Sequence, residues 1–135
     1  MPSLKIHRPR VFTPSHSKAE TIATNKTGLV AKSSENGNIE LFKFSPEFPE
    51  KPQFAGEMFT DMESEASALC FVSKNRLVSA GLGGVLSLWN TNSFQEMFTE
   101  NMTVAVWQLE ACPTDESLFA AACDDTEGLR KFRKN

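Results

Sequence analysis

The tetrapeptide Glu57-Met58-Phe59-Thr60 returns as Glu96-Met97-Phe98-Thr99, 39 residues further on, and each copy closes a strand-like pattern that also recurs. A second pair of markers, Gly37 and Gly84, stands 47 residues apart, each glycine leading into an apolar, polar, apolar, aromatic alternation. A chain that repeats itself at such a spacing is an array. Each unit then buries its apolar surface against the next copy rather than within itself.

Aligned on these markers, the repeats run over about 19–60, 66–99 and 106–135, behind a leader at 1–18. The first strand of each copy places Ile22, Leu69 and Trp107 at one position and Thr24, Phe71 and Leu109 two residues later. A period of two predicts one buried face holding these residues. Polar turns follow at Asn25 to Gly28, Ser73 to Arg76 and Pro113 to Ser117, and then a second strand carrying Val30, Leu77 or Leu118. Small residues crowd behind it, as Ser33-Ser34, Ala80-Gly81 and Ala120 to Cys123. Such side chains let neighbouring sheets converge towards a common axis.

The third strand is Asn38 to Phe42 or Val85 to Trp89, opened by Asn36-Gly37 or Gly83-Gly84. The Asn-Gly pair predicts a two-residue type I′ turn, whose central residues both need positive φ. In the third copy Asp124 to Gly128 is longer. Either Gly128 matches the other glycines or Leu129 matches Leu88. A fourth, outer strand is expected at Gly56 to Thr60 and Phe94 to Thr99, the first of them after a proline-broken loop from Ser45 to Pro52.

Several short strands in a period of about 40 to 45 residues predict an all-β chain, a partial β-propeller of the WD-repeat kind built from four-stranded antiparallel sheets. Three copies predict about three blades. Closed propellers carry roughly 4 to 8, so the 135 residues are expected to be the front part of a larger ring. A cut array leaves an apolar face bare at each end, and each Leu or Phe there forgoes roughly 1.5–3 kcal/mol. The leader is expected to lie against the first blade or lend it a strand.

A composition of 40% hydrophobic and 23% charged residues, with no apolar run near the ~18–20 residues of a membrane span, fits a globular chain without a membrane partner. The first residues lack a secretory apolar core, so an intracellular setting is expected. Cys70, Cys112 and Cys123 are an odd number without Cys-x-x-Cys spacing, which argues for buried thiols rather than disulfides or zinc. The net charge of −3 is unevenly placed. Lys5, Arg8, Arg10 and Lys18 occupy the leader with no acid, and Arg130, Lys131, Arg133 and Lys134 end the chain, again with none. Basic ends on an acidic body could clamp a phosphate backbone, while by composition alone solvated lysine and arginine at chain ends are the stronger reading.

Catalytic constellations are thin. His7 and His16 are the two histidines, both in the leader, with no serine or cysteine at a motif spacing. Gly81-Leu82-Gly83-Gly84 lacks the Lys-Ser/Thr of a phosphate loop and joins two strands, so it reads as a tight turn. Asp124, Asp125 and Glu127 do not continue into a cation-binding loop. No cofactor, metal or small-molecule substrate is expected.

Lys5-Ile6-His7-Arg8-Pro9-Arg10-Val11-Phe12, Asn36-Gly37-Asn38-Ile39-Glu40-Leu41-Phe42, Ala68-Leu69-Cys70-Phe71, Arg76 to Gly84, Val106-Trp107 and Ala122-Cys123-Asp124-Asp125 together resemble the amino-terminal WD repeats of the cirhin family. The similarity extends over almost the whole chain, and the leader is its most specific part. It implies a non-enzymatic scaffold of the UtpA subcomplex in the small-subunit processome. That nucleolar assembly engages nascent pre-ribosomal RNA at the 5′ external transcribed spacer, in early rRNA processing and transcription of the ribosomal genes. Phe42-Lys43 and Trp89-Asn90 stand where standard repeats end in Trp-Asp.

The resulting expectation is a scaffold in ribosome biogenesis with UtpA and processome proteins and pre-ribosomal RNA as partners. His7, Arg8 and Arg10 are the candidate contacts to RNA phosphate or an acidic protein surface. Phe48 and Phe54 are candidate partner anchors, or staples for their own loop. The alternatives are a WD adaptor unrelated to ribosomes and a hydrolase with axial carboxylates, the latter without the His/Asp/Glu set it would need.

Overall fold

The computed structural model describes residues 21–34, 37–60, 66–124 and 128–133, with the backbone alone at 48–51. The described residues form three antiparallel sheets whose strands follow chain order. The first holds β1 (Ile22–Thr24), β2 (Leu29–Ser33), β3 (Ile39–Ser45) and β4 (Phe48–Met58); the second holds β5 (Ala68–Ser73), β6 (Arg76–Ala80), β7 (Val85–Asn90) and β8 (Gln95–Asn101). The third holds β9 (Val106–Ala111), β10 (Leu118–Cys123) and β11 (Leu129–Arg133). The first strands of successive sheets contact one another, β1 against β5 and β5 against β9. This is the radial stacking of a β-propeller, three blades wide.

One loop design recurs. Gly28, Gly37 and Gly84 have φ of 89°, 88° and 93°. Each donates its N–H to the carbonyl three residues back, on Asn25, Ser34 and Gly81, and these in turn donate to Leu29, Asn38 and Val85. The result is a three-residue loop with its glycine in the left-handed region, the next commonest hairpin after the two-residue forms. It corrects the two-residue type I′ turn expected at Asn36-Gly37. The same hydrogen-bond pattern at Gly81-Leu82-Gly83-Gly84 makes that segment the inter-strand turn expected of it. In the third blade Cys123 donates to the carbonyl of Gly128, which lies at φ 71°. Leu129 then pairs with Ala122 as Leu86 pairs with Ala80, and Phe132 pairs with Phe119 as Trp89 pairs with Leu77. Leu129 therefore matches Leu86 rather than Leu88, and Gly128 falls at the position of Val85, one residue past that of Gly84.

The middle blade is buried on both faces, and strand alternation divides its side chains between two cores. Leu69, Leu77 and Trp89 pack with Ala31, Ile39, Leu41, Met58 and Ala66 of the first blade and its link. Ala68, Cys70, Val72, Val78, Ala80, Leu86 and Leu88 pack with Val106, Leu109, Phe119, Ala121 and Cys123 of the third. The indole N–H of Trp89 donates to Ser79 Oγ at 2.9 Å, which satisfies a buried donor between strands.

Three first-strand residues, Ile22, Thr24 and Trp107, do not take the buried position that the alternation predicted. Trp107 is 57% exposed because Val106 pairs with Cys123 while Gln108 pairs with Ala122, leaving Trp107 as the extra residue of a β-bulge. Ile22 is 62% exposed on a strand whose Ala23 is the residue that packs on the core. The expected loop from Ser45 to Pro52 is also corrected. β4 begins at Phe48, directly across a tight turn from Ser45, and runs through Pro49 and Pro52 as the edge strand of its sheet. An edge tolerates residues that lack an amide proton.

Candidate protein-interaction surface

Of the residues singled out in the sequence, His7, Arg8 and Arg10 lie outside the described residues. The Phe48 backbone starts β4 opposite Ser45. Phe54, on the same strand, is half-exposed and meets the buried Phe42 edge to face at 5.7 Å. Phe48 and Phe54 thus sit on a paired strand, away from the loops between blades.

A different grouping emerges at one end of the blades, where second strands turn into third strands and fourth strands cross to the next blade. Five large apolar side chains are exposed on residues near that end, namely Ile22 at the start of β1, Phe59 just past β4, Leu82 in the β6–β7 turn, Trp107 at the start of β9 and Leu129 at the start of β11. Alternation with the core-packed Ala23 and Phe132 turns Ile22 and Leu129 to the outer faces of the first and third sheets. Phe59 is the most open, at 73%. Isolated exposed apolar residues are ordinary, and Phe59, Leu82 and Trp107 are the ones whose positions beside the loops at this end make them candidates for contact with a protein. Strand periodicity concealed this set, since it assigned Ile22 and Trp107 to the core.

The backbone at this end is held tightly. Thr60 Oγ1 donates to the Gly37 carbonyl at 2.5 Å, its N–H to Asn38 Oδ1 at 3.1 Å, and Asn38 Nδ2 to Glu57 Oε1 at 3.1 Å. Ser67 Oγ reaches the Val106 carbonyl at 2.6 Å, tying the start of the second blade to the third. The Val106 N–H donates to Gly81 and the Asp124 N–H to Ala105. Loops bound this way hold the apolar side chains in fixed places, which lowers the ordering cost of binding.

At the opposite end the blades are wedged together. Asn25 Nδ2 donates to the Lys74 carbonyl at 3.1 Å, and the Phe94 ring lies over Gly56 of the first blade, so close that a Cβ on Gly56 would sit 2.4 Å from it. In the third blade the Asp115 carboxylate accepts from Ser117 Oγ at 2.6 Å and from Arg133 Nη1 at 2.9 Å. Ser117 first, and Arg133 after it, hold the Asp115 carboxyl below its ordinary pKa. Burial, reinforced by Glu110, pushes the Cys70 thiol up to about 11, which leaves it protonated and unreactive. Hydrogen bonds from Thr114 lower the Cys112 thiol. Among the described residues no cluster of His, Cys, Asp and Glu is placed to hold a metal ion.

Sheets of this number, order and stacking are those of a WD-repeat β-propeller. A chain from a crystal structure of the mitotic checkpoint complex superposes with a TM-score of 0.73 at 20% identity, over 92% of this chain and 37% of that one. The Cps50 (Swd1) β-propeller domain of Myceliophteria thermophila gives 0.67 at 18% identity, over 88% and 39%. At such identities the likeness is one of fold. No protein-family model matches the chain. Among curated proteins it is similar to the U3 small nucleolar RNA-associated protein 4 homologs of mouse and human, 27% identical over 127 and 128 residues. Those alignments take in 93% of this chain but only 18% of either relative.

Proposed function

We propose that this chain is a non-catalytic WD-repeat scaffold of ribosome biogenesis, working in the nucleolus among small-subunit processome proteins. The observation that carries the reading is the similarity, over nearly the whole chain, to proteins named for association with U3 small nucleolar RNA. The apolar end of the blades supplies the protein contacts. The leader, with His7, Arg8 and Arg10, supplies a contact to pre-ribosomal RNA of the 5′ external transcribed spacer.

Two measurements test this. Tagged chain recovered from nucleolar extract should bring down U3 small nucleolar RNA and processome proteins together; recovery of neither would refute the reading. Binding of the chain to transcribed spacer RNA should fall steeply with added salt and weaken in Arg8→Ala/Arg10→Ala, because each phosphate contact releases counterions. Binding indifferent to salt removes the RNA contact while leaving the protein scaffold standing. The fold and the exposed apolar end also support a second reading, a protein-binding adaptor outside ribosome assembly, and extract partners unrelated to ribosomes would favour it.

A further inference from the structure

Charge on the blades is divided by end. Glu57, Glu100 and Asp124 lie at the end that carries Phe59, Leu82 and Trp107, and the sequence has neither lysine nor arginine over 52–73 or 77–129. The opposite end is basic at one place. Lys26 in the β1–β2 turn, Lys43 near the end of β3 and Lys74 in the β5–β6 turn are all exposed, and among the described residues none of the three has an ion pair. Lys32 and Arg133, by contrast, face Glu40 at 3.7 Å and Asp115 at 2.9 Å.

The three lysines meet at the joint between the first and second blades. Asn25 Nδ2 donates to the Lys74 carbonyl at 3.1 Å, so the turn that carries Lys26 lies against the turn that carries Lys74. Leu29 pairs with Lys43 and the Phe44 N–H donates to the Gly28 carbonyl, which sets Lys43 beside the same turn. Alternation along β3 puts Lys43 on the face that Ile39 and Leu41 turn to the second blade. The backbone beneath is stiff. Asn25 Oδ1 accepts from the Thr27 N–H, the Thr27 hydroxyl and the Leu29 N–H, fixing the Lys26 turn from within. Carboxylates at this end belong to other turns, Glu47 between β3 and β4, and Asp115 and Glu116 between β9 and β10.

We infer that this joint is a phosphate-binding ridge for RNA, gripping the backbone through Lys26, Lys43 and Lys74 without regard to base sequence. Ammonium groups are compact point charges that suit phosphate oxygens, and each contact releases counterions. Lysine is depleted where proteins meet proteins, whereas phosphate contacts draw on it, which favours RNA over an acidic protein. Glu57, Glu100 and Asp124 repel the same polyanion, so RNA and a protein partner take opposite ends of the blades. The inference rests on the ribosomal reading for the identity of the polyanion, and adds to the leader a contact on the blades themselves.

The test uses the full chain and fluorescein-labelled oligouridylate, with anisotropy read across a salt titration. Lys26→Ala/Lys43→Ala/Lys74→Ala should weaken binding and lower the slope of log affinity against log salt by about 2, since each lost contact to a single strand removes about 0.7. Gly83→Asp/Asn101→Asp/Gln108→Glu shifts the net charge by the same amount at the other end and should keep the slope, with circular dichroism confirming that both variants fold. An equal loss in the two variants means that overall charge governs, and overturns the ridge. A slope that the lysine substitutions leave unchanged while Arg8→Ala/Arg10→Ala lowers it also overturns the ridge, but leaves the RNA reading standing. Failure of the unaltered chain to bind oligouridylate or transcribed spacer RNA removes both. Binding of polyglutamate through the same lysines, without binding of RNA, assigns the joint to an acidic protein and overturns the proposal.

Discussion

Asp115 shows how a single exposed residue organises the outer part of a blade. Its carboxylate accepts from the Ser117 N–H and hydroxyl and from Arg133, joining the β9–β10 turn to the end of β11. The carboxyl pKa is lowered in the folded chain, chiefly by Ser117. The sign follows directly. The contact stabilises the fold above the ordinary carboxylate range and is lost as the pH falls through the lowered pKa. Titration of the Asp115 side-chain carbon by NMR should therefore give a midpoint below the usual 3.8. Ser117→Ala should raise that midpoint more than Arg133→Ala, because the hydroxyl is the larger influence and the guanidinium is exposed and screened. An equal or reversed order would show that the ion pair dominates. None of this was legible from spacing. Asp115 and Arg133 are 18 residues apart and meet only because β10 and β11 pair in register.

Hairpins are the element most fully written in the sequence, and glycine is the reason. Gly84 sits at φ 93°, and a Cβ there would lie 2.9 Å from the Val104 carbonyl oxygen, which is backbone and has little room to yield. Neighbouring Gly83 has open space around its Cβ position. Gly84→Ala should thus cost about 1–3 kcal/mol from the left-handed conformation, with the clash adding to it, whereas Gly83→Ala should be close to neutral. Urea unfolding of the two variants decides, and equal midpoints would mean that the loop relaxes freely. The repeated motifs announced these loops and the antiparallel strand order. They did not announce the loop length at Asn36-Gly37, because Asn-Gly favours a two-residue turn locally while the ladder from Ser33 to Ile39 sets the actual count. Nor did alternation survive at Trp107, where one bulged residue resets the face of everything before it. The prolines of β4 read as a loop, since nothing local says that a strand will lie at an edge. The apolar surface was hidden for the same reason: whether Ile22 or Leu129 is covered depends on neighbours that a single strand does not specify.

Across the whole molecule, cohesion depends on the middle blade, whose two faces belong to different cores. Leu77 and Val78 are adjacent in β6 and both fully buried, yet Leu77 packs towards the first blade and Val78 towards the third. A repeat array of this kind derives much of its stability from nearest-neighbour interfaces. Loss of one interface should then loosen one side more than the other. Leu77→Ala leaves a cavity expected to cost about 2–5 kcal/mol at the first interface. Val78→Ala removes less volume at the second and should cost less. Hydrogen exchange resolved by peptide reads the direction of each effect: amides of β2 and β3 should exchange faster in Leu77→Ala, and those of β10 and β11 in Val78→Ala. If instead both variants accelerate all three blades equally, the chain unfolds as one unit and the interfaces are not separable. The asymmetric outcome has a functional consequence. The exposed apolar residues beside the loops at that end come from all three blades, with Phe59 leaving the first, Leu82 on the second and Trp107 on the third. A partner gripping that end would bridge both interfaces at once, so its binding should suppress the exchange in either variant, whichever interface had been weakened.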